Sequence, residues 1–141
     1  MRAEEPETHP EWGPFGVPLF DGPEAQALAR VGVIDIGSNS VRMVIFDGAA
    51  RSPAYFFNEK ILCGLGADFA ETGRLNGQGK ARALAALRRF ARLAEAAEVS
   101  PLLAVATAAV RDAEDGAEFR EQVRAETGLE IRVIDGAEEA R

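Results

Sequence analysis

The chain has very few of the side chains that carry nucleophilic and transition-metal chemistry. Cys63 is its only cysteine and His9 its only histidine. One cysteine excludes an intrachain disulfide and suits a reducing, cytoplasmic setting, in which Cys63 reads as a small buried hydrophobe. One histidine, placed in a proline-rich tail, excludes a His-based catalytic pair or zinc cluster built by this chain alone. Acid–base work then falls to carboxylates, and any metal to a hard, oxygen-bound ion such as Mg²⁺. Basic charge is also in deficit: 16 Lys and Arg face 23 Asp and Glu, a net charge of −7. That balance argues against broad nucleic-acid binding, although a local site can invert the global sign. No apolar run approaches the roughly 18–20 residues of a membrane span. The N-terminus has no basic stretch leading into an apolar core, so no signal peptide is expected. Neither a G-x-x-x-x-G-K-[ST] nor a G-x-G-x-x-G pattern occurs, which removes the P-loop and the Rossmann fingerprint.

What remains is a chain of 141 residues with 47% hydrophobic residues, enough for one domain with a core. Its most informative stretch runs from Val31 to Phe46. Val31, Val33, Ile34 and Ile36 form an apolar strand, Gly37-Ser38-Asn39-Ser40 a polar turn, and Val41 to Phe46 a second apolar strand. Asp35 sits where the first strand leaves the core, so its charge can meet solvent, a metal or a phosphate-bound cation. Gly37 permits close backbone approach, and the turn's amides with Ser38, Asn39 and Ser40 can surround an anion. A hairpin whose turn is polar for ordinary reasons is the competing reading.

The rest of the chain divides around this hairpin. Residues 1–30 hold five of the seven prolines and read as a flexible extension, with Trp12, Phe15, Leu19 and Phe20 as its apolar members. Asp47-Gly48 suits a turn, and residues 54–62 a third strand. Gly64-Leu65-Gly66-Ala67-Asp68 is a loop, either a simple turn or one close to a ligand. Asn76 can cap a helix reaching Ala97, with Ala81, Leu84, Leu87, Arg88, Ala91 and Ala94 at helical spacing. Arg82, Arg88, Arg89 and Arg92 make its solvated face. Ser100-Pro101 ends it, and residues 102–106 form a short buried strand.

Arg111 follows that strand, either as a phosphate clamp or in an ion pair with Asp112 or Asp115. A second helix over 115–127 turns Phe119 and Val123 inward and ends at Gly128. A last strand over 129–134 leads through Asp135-Gly136 into Ala137-Glu138-Glu139-Ala140-Arg141, the opening of a further helix. Strands alternating with helices give an α/β domain with a mixed sheet. Ligands of such sheets collect at the carboxyl ends of the strands, where Asp35, Arg111 and the Glu138-Glu139 pair all fall.

Val33-Ile34-Asp35-Ile36-Gly37-Ser38-Asn39-Ser40-Val41-Arg42, Ala106-Thr107-Ala108-Ala109-Val110-Arg111-Asp112-Ala113 and Gly136-Ala137-Glu138-Glu139-Ala140-Arg141 occur in that order. Together with Asn58-Glu59-Lys60 through Gly64-Leu65-Gly66, they resemble the N-terminal domain of the exopolyphosphatase / guanosine-pentaphosphate phosphohydrolase (Ppx/GppA) family. The resemblance covers residues 31–141. It implies an RNase H-like mixed sheet with flanking helices, the fold of the actin, sugar-kinase and Hsp70 ATPase superfamily. It also implies hydrolysis of terminal orthophosphate from polyphosphate or guanosine pentaphosphate with Mg²⁺ as cofactor.

By position, Asp35 resembles the residue that helps to hold Mg²⁺. Gly37, Ser38, Asn39 and Ser40 resemble the first phosphate loop, Arg111 a basic residue facing the phosphates, and Glu139 the catalytic base, with Glu138 its competitor. The serine that often precedes the glutamate block is replaced by Asp135. The family's second, glycine-rich phosphate loop and second domain lie beyond Arg141. The chain therefore reads as an N-terminal fragment with half of a cleft, weakly active or inactive alone and prone to self-association through exposed apolar surface. A non-catalytic module for polyphosphate or guanosine tetraphosphate, and an ATP-dependent kinase of the same superfamily, are the alternatives.

Overall fold

The computed structural model describes residues 30–47 and 55–135. The proline-rich extension, Gly48 and the Gly136–Arg141 block with Glu138 and Glu139 lie outside the described residues.

The element order is β1 (Arg30–Ile36), β2 (Ser40–Asp47), β3 (Tyr55–Leu62), α1 (Phe69–Thr72), α2 (Gly77–Ala96), β4 (Leu102–Ala106), α3 (Ala108–Asp112), α4 (Gly116–Thr127) and β5 (Ile131–Val133). The strands form one sheet in the order β3-β2-β1-β4-β5. The tight turn after Ile36 makes β1 and β2 antiparallel, with Ile36 opposite Val41, and β3 continues the meander. β4 returns beside β1 in parallel, and β5 beside β4 in parallel, each after a helical crossover. This mixed sheet with flanking helices is the RNase H-like arrangement that the sequence resemblance implies.

Period-two alternation along β1 and β2 sends Ile34, Ile36, Val41, Met43 and Ile45 to one face, where each is at most 1% exposed. Ala104, Ala106 and Ile131 extend that face, and Leu84, Leu87 and Phe90 of α2 with Phe119 and Val123 of α4 join the same core. Phe57 of β3 meets Phe90 edge-on, with ring centroids 6.5 Å apart. The alternate residues Val33, Asp35, Arg42, Val44, Leu103 and Val105 are half-buried or exposed.

α2 begins where expected: the Asn76 side chain accepts a hydrogen bond from the Gly79 amide at 2.8 Å. Its buried stripe is displaced from the spacing expected, however. Ala83, Ala86 and Phe90 are buried with Leu84, Leu87 and Ala94, whereas Ala81 is exposed. In an alanine-rich helix, small side chains fit on either side of the stripe, and the one large aromatic, Phe90, sets its direction. Arg82, Arg88, Arg89 and Arg92 are all solvent-facing, and Arg88 and Arg89 pair with Glu126 and Glu59.

The final strand is shorter than the expected 129–134: only Ile131, Arg132 and Val133 pair with β4, opposite Ala104, Val105 and Ala106. The short helices α1 and α3 lack enough periodicity to be foreseen. α4 ends as its sequence suggests, with Gly128 at φ 77° and its amide donating to the Arg124 carbonyl.

Candidate functional site

The turn between β1 and β2 is closed by a single backbone bond, Gly37 N–H to the Ser40 carbonyl at 2.9 Å. A Cβ at position 37 would meet only that carbonyl, 3.6 Å away, so space stays open above the turn. Ser38 and Asn39 are exposed and Ser40 is half-buried. The carbonyls of the turn are drawn away from that space by the loop after β3. Asn39 O accepts from both the Cys63 amide at 2.9 Å and the Gly64 amide at 3.1 Å, and Ser38 O accepts from the Gly66 amide at 2.8 Å. The loop presses close enough that a Cβ on Gly66 would lie 2.9 Å from Ser38 Cβ and 3.6 Å from Ala109 Cβ. Between the two readings of residues 64–68, this places the loop directly under the turn.

Neighbouring strand ends are laced to the same edge. The Thr107 amide donates to Ile36 O at 3.1 Å, and the Ile134 amide to Ala106 O at 3.0 Å. α3 starts there, with its Ala109 near enough that only a Cβ on Gly66 would be needed for contact. Asp35 lies one residue before the end of β1, exposed, directly opposite Arg42 on β2. Arg42 in turn donates to Asn58 Oδ1 at 3.0 Å.

Arg111 resolves into an ion pair with Asp112, not Asp115. Its Nε and Nη2 reach the two Asp112 oxygens at 2.9 and 3.1 Å, while Nη1 donates to Ile134 O at 3.1 Å. The guanidinium beside Asp112 holds that carboxyl below the usual range. Arg111 is thereby laid from α3 across to the end of β5, immediately before residues 136–141. Asp35, Gly37–Ser40 and Arg111 thus share the carboxyl edge of the sheet. Glu139 and Glu138 lie outside the described residues.

Cys63 is 2% exposed, as a small hydrophobe would be. Burial pushes its thiol up, and its Sγ lies 3.4 Å from the Ile61 carbonyl. Among the described residues, no group of three or more His, Cys, Asp or Glu could hold a metal ion. Asp35 is a lone exposed carboxylate, which fits Mg²⁺ held jointly by one carboxylate and substrate phosphate oxygens, the usual protein mode for that ion. A cavity of about 450 Å³ lies elsewhere, lined by Leu102, Leu103, Val105, Leu129 and Arg132 around the starts of β4 and β5. Sequence reasoning offered Asp115 only as a partner for Arg111 and missed its burial, at 3% exposed. Its place before a helix, next to Gly116, is the one sequence signal for that burial.

A family model described as the Ppx/GppA phosphatase family matches residues 44–141. The chain is similar to exopolyphosphatase 1 of Mycobacterium tuberculosis, at 32% identity over 113 residues, covering 79% of this chain and 33% of that protein. It is 35% identical over 123 residues to exopolyphosphatase 2 of the same organism, covering 81% of this chain and 39% of that one. Among solved structures, the Ppx/GppA family member of Aquifex aeolicus superposes with a TM-score of 0.72 at 35% identity, covering 78% of this chain and 36% of that one. An exopolyphosphatase from Cytophaga hutchinsonii gives 0.74 at 32% identity, covering 79% of this chain and 36% of that one. The chain spans about a third of the length of the curated relatives and solved structures it matches. No helix among the described residues is long and apolar enough to cross a membrane. With the family model matching most of the chain and the sheet superposing on solved members, the chain belongs to the Ppx/GppA phosphatase family.

Proposed function

We propose that this chain supplies the phosphate-holding wall of a phosphoanhydride hydrolase that releases terminal orthophosphate from inorganic polyphosphate. The observation that carries the proposal is the turn itself. Its carbonyls are tied back to residues 63–66, leaving exposed Ser38 and Asn39 beside an exposed Asp35 at the carboxyl edge of the sheet. A turn whose acceptors are already satisfied from below is suited to an anion above.

In this reading the terminal phosphoryl group rests on residues 37–40, and Arg111 offsets its charge from the end of β5. Release of Arg111 from Asp112 on binding would exchange one carboxylate partner for phosphate oxygens. Mg²⁺ held by Asp35 and the phosphates would neutralise further negative charge. Glu139 takes a proton from a water molecule as that water attacks the terminal phosphorus in line. The bridging P–O bond breaks, the shortened chain leaves with the bond's electron pair, and orthophosphate is formed. Guanosine pentaphosphate presents the same phosphoanhydride and is the second substrate of this reading.

The decisive experiment adds the purified chain, and separately a full-length protein containing it, to MgCl₂ and end-labelled polyphosphate. Phosphate release that disappears in Glu139→Ala, with polyphosphate still retained, is the expected result for the full-length protein. Near-normal turnover by that variant overturns the assignment of Glu139. A second reading is a polyphosphate-binding module without catalysis. Retention of polyphosphate without release distinguishes it.

A further inference from the structure

Asp115 is the one charged side chain among the described residues to be buried, and phosphate hydrolysis as drawn above does not use it. A buried carboxylate costs several kcal/mol unless it is paired and hydrogen-bonded, so its partners reveal its task. It stands at the N-terminal boundary of α4 but makes no side-chain bond to that helix. Its oxygens point instead to an earlier segment. Oδ1 accepts from the Leu75 amide at 2.9 Å, and Oδ2 accepts from Lys80 Nζ at 2.8 Å, with Arg74 Nη2 3.9 Å away. The neighbouring Glu114 amide donates to Gly73 O at 2.9 Å. Residues 73–80 are therefore clamped to the α3–α4 junction.

That segment is also the support of the loop beneath the turn. The Asn76 amide donates to Leu65 O at 2.8 Å, and Leu65 is fully buried. Gly79 lies so close to the loop that a Cβ there would be 2.6 Å from Gly64 O. One residue past Leu65, the Gly66 amide holds Ser38 O. From Asp115 to the turn the connection is made of backbone hydrogen bonds and glycine contacts, with no flexible side chain between the clamp and the loop.

We infer that Asp115 and Lys80 are positioning residues for the phosphate turn: their half-buried ion pair locks residues 73–80, and through residues 63–66 it fixes the carbonyls of Ser38 and Asn39. The inference deepens the proposed function and rests on it for the ligand alone; the mechanical link is a property of the free chain.

The test uses the chain itself, with Lys80→Met, which keeps the stem and removes the charge, and Lys80→Arg, which keeps a cation. Amide hydrogen exchange is followed by NMR without ligand. Lys80→Met is expected to speed exchange at Cys63, Gly64 and Gly66 by about tenfold while the β1–β4 ladder stays protected, a local opening and not a global one. Lys80→Arg is expected to restore protection. Titration with magnesium tripolyphosphate is expected to show affinity about tenfold weaker in Lys80→Met and near wild type in Lys80→Arg, or 1.4 kcal/mol by the usual conversion. Exchange that rises evenly over the sheet, or not at all at the three amides, overturns the positioning role. A wild-type chain that ignores tripolyphosphate overturns the phosphate reading, and the exchange data still decide whether the clamp holds the turn.

Discussion

The two faces of the sheet, only one strand thick, are built from neighbouring residues and have opposite characters. On one face Ile34 and Ile36 are completely buried beneath the helices. On the other, Val33 is half-buried and Asp35 exposed, though they occupy adjacent positions in the same strand. The difference shows how a short hairpin separates stability from chemistry: one set of alternate residues anchors the strand, and the other is left free to present charge at its end. Substitutions on the two faces should therefore fail in different ways.

The largest effect is expected from Ile34→Ala, which should cost about 2–5 kcal/mol as a large-to-small change in a close-packed core. Urea denaturation would measure it, and a loss under ~1 kcal/mol would mean that the helices do not seal this face as described. On the opposite face Asp35→Asn should leave the unfolding midpoint nearly unchanged. It should weaken Mg²⁺-dependent tripolyphosphate binding about tenfold, a difference of roughly 1.4 kcal/mol, as read by calorimetry with and without MgCl₂. Equal weakening in EDTA would separate Asp35 from the metal.

An acid titration gives a smaller and broader signal. Burial pushes the Asp115 carboxyl up, but its bonds from Lys80 and from the Leu75 amide outweigh burial and leave it below the usual range. A depressed carboxyl contributes stability that is fully present above its unfolded value of about 3.9 and is lost as pH falls through the lower folded value. Asp112 and Glu121, lowered mainly by their bonds from Arg111 and Arg124, act in the same direction from the surface. The urea midpoint should thus fall below about pH 4, and Asp115→Asn should fall less steeply over that window. The smallest effect belongs to Leu103, which is 53% exposed. Leu103→Ser should change stability by no more than about 0.5 kcal/mol, and a cost above 1 kcal/mol would show that this face is covered in solution.

Much of the fold was legible because its signals are local. Alternation in residues 31–46, the Asn76 cap, the inward pair Phe119 and Val123 and the Gly128 stop each depend on a few neighbouring residues. The hairpin pairing needed only a tight turn, and helices between strands pointed to a mixed sheet without saying that β4 would lie beside β1. The candidate site residues could be named as types at strand ends, yet their structural partners could not. Arg111 had Asp112 and Asp115 on offer, and sequence proximity alone could not choose. In space Asp115 is already occupied by Lys80, 35 positions earlier, and by the Leu75 amide. The exposed side of α2 was read correctly, but alanine's neutrality hid which stripe Phe90 would define.

By itself, then, the sequence determined the order of the strands and of the two longer helices, the polar turn with Asp35 beside it, and the family resemblance, all of which are carried by residue type at short range. Only the tertiary structure decided that the 63–66 loop lies under the turn, that Arg111 is turned to Asp112 and Ile134, and that Asp115 clamps residues 73–80 from across the chain. The physical reason is that backbone hydrogen bonds such as Gly66 to Ser38, and close approaches such as Gly79 to Gly64, leave almost no side-chain signature beyond a glycine.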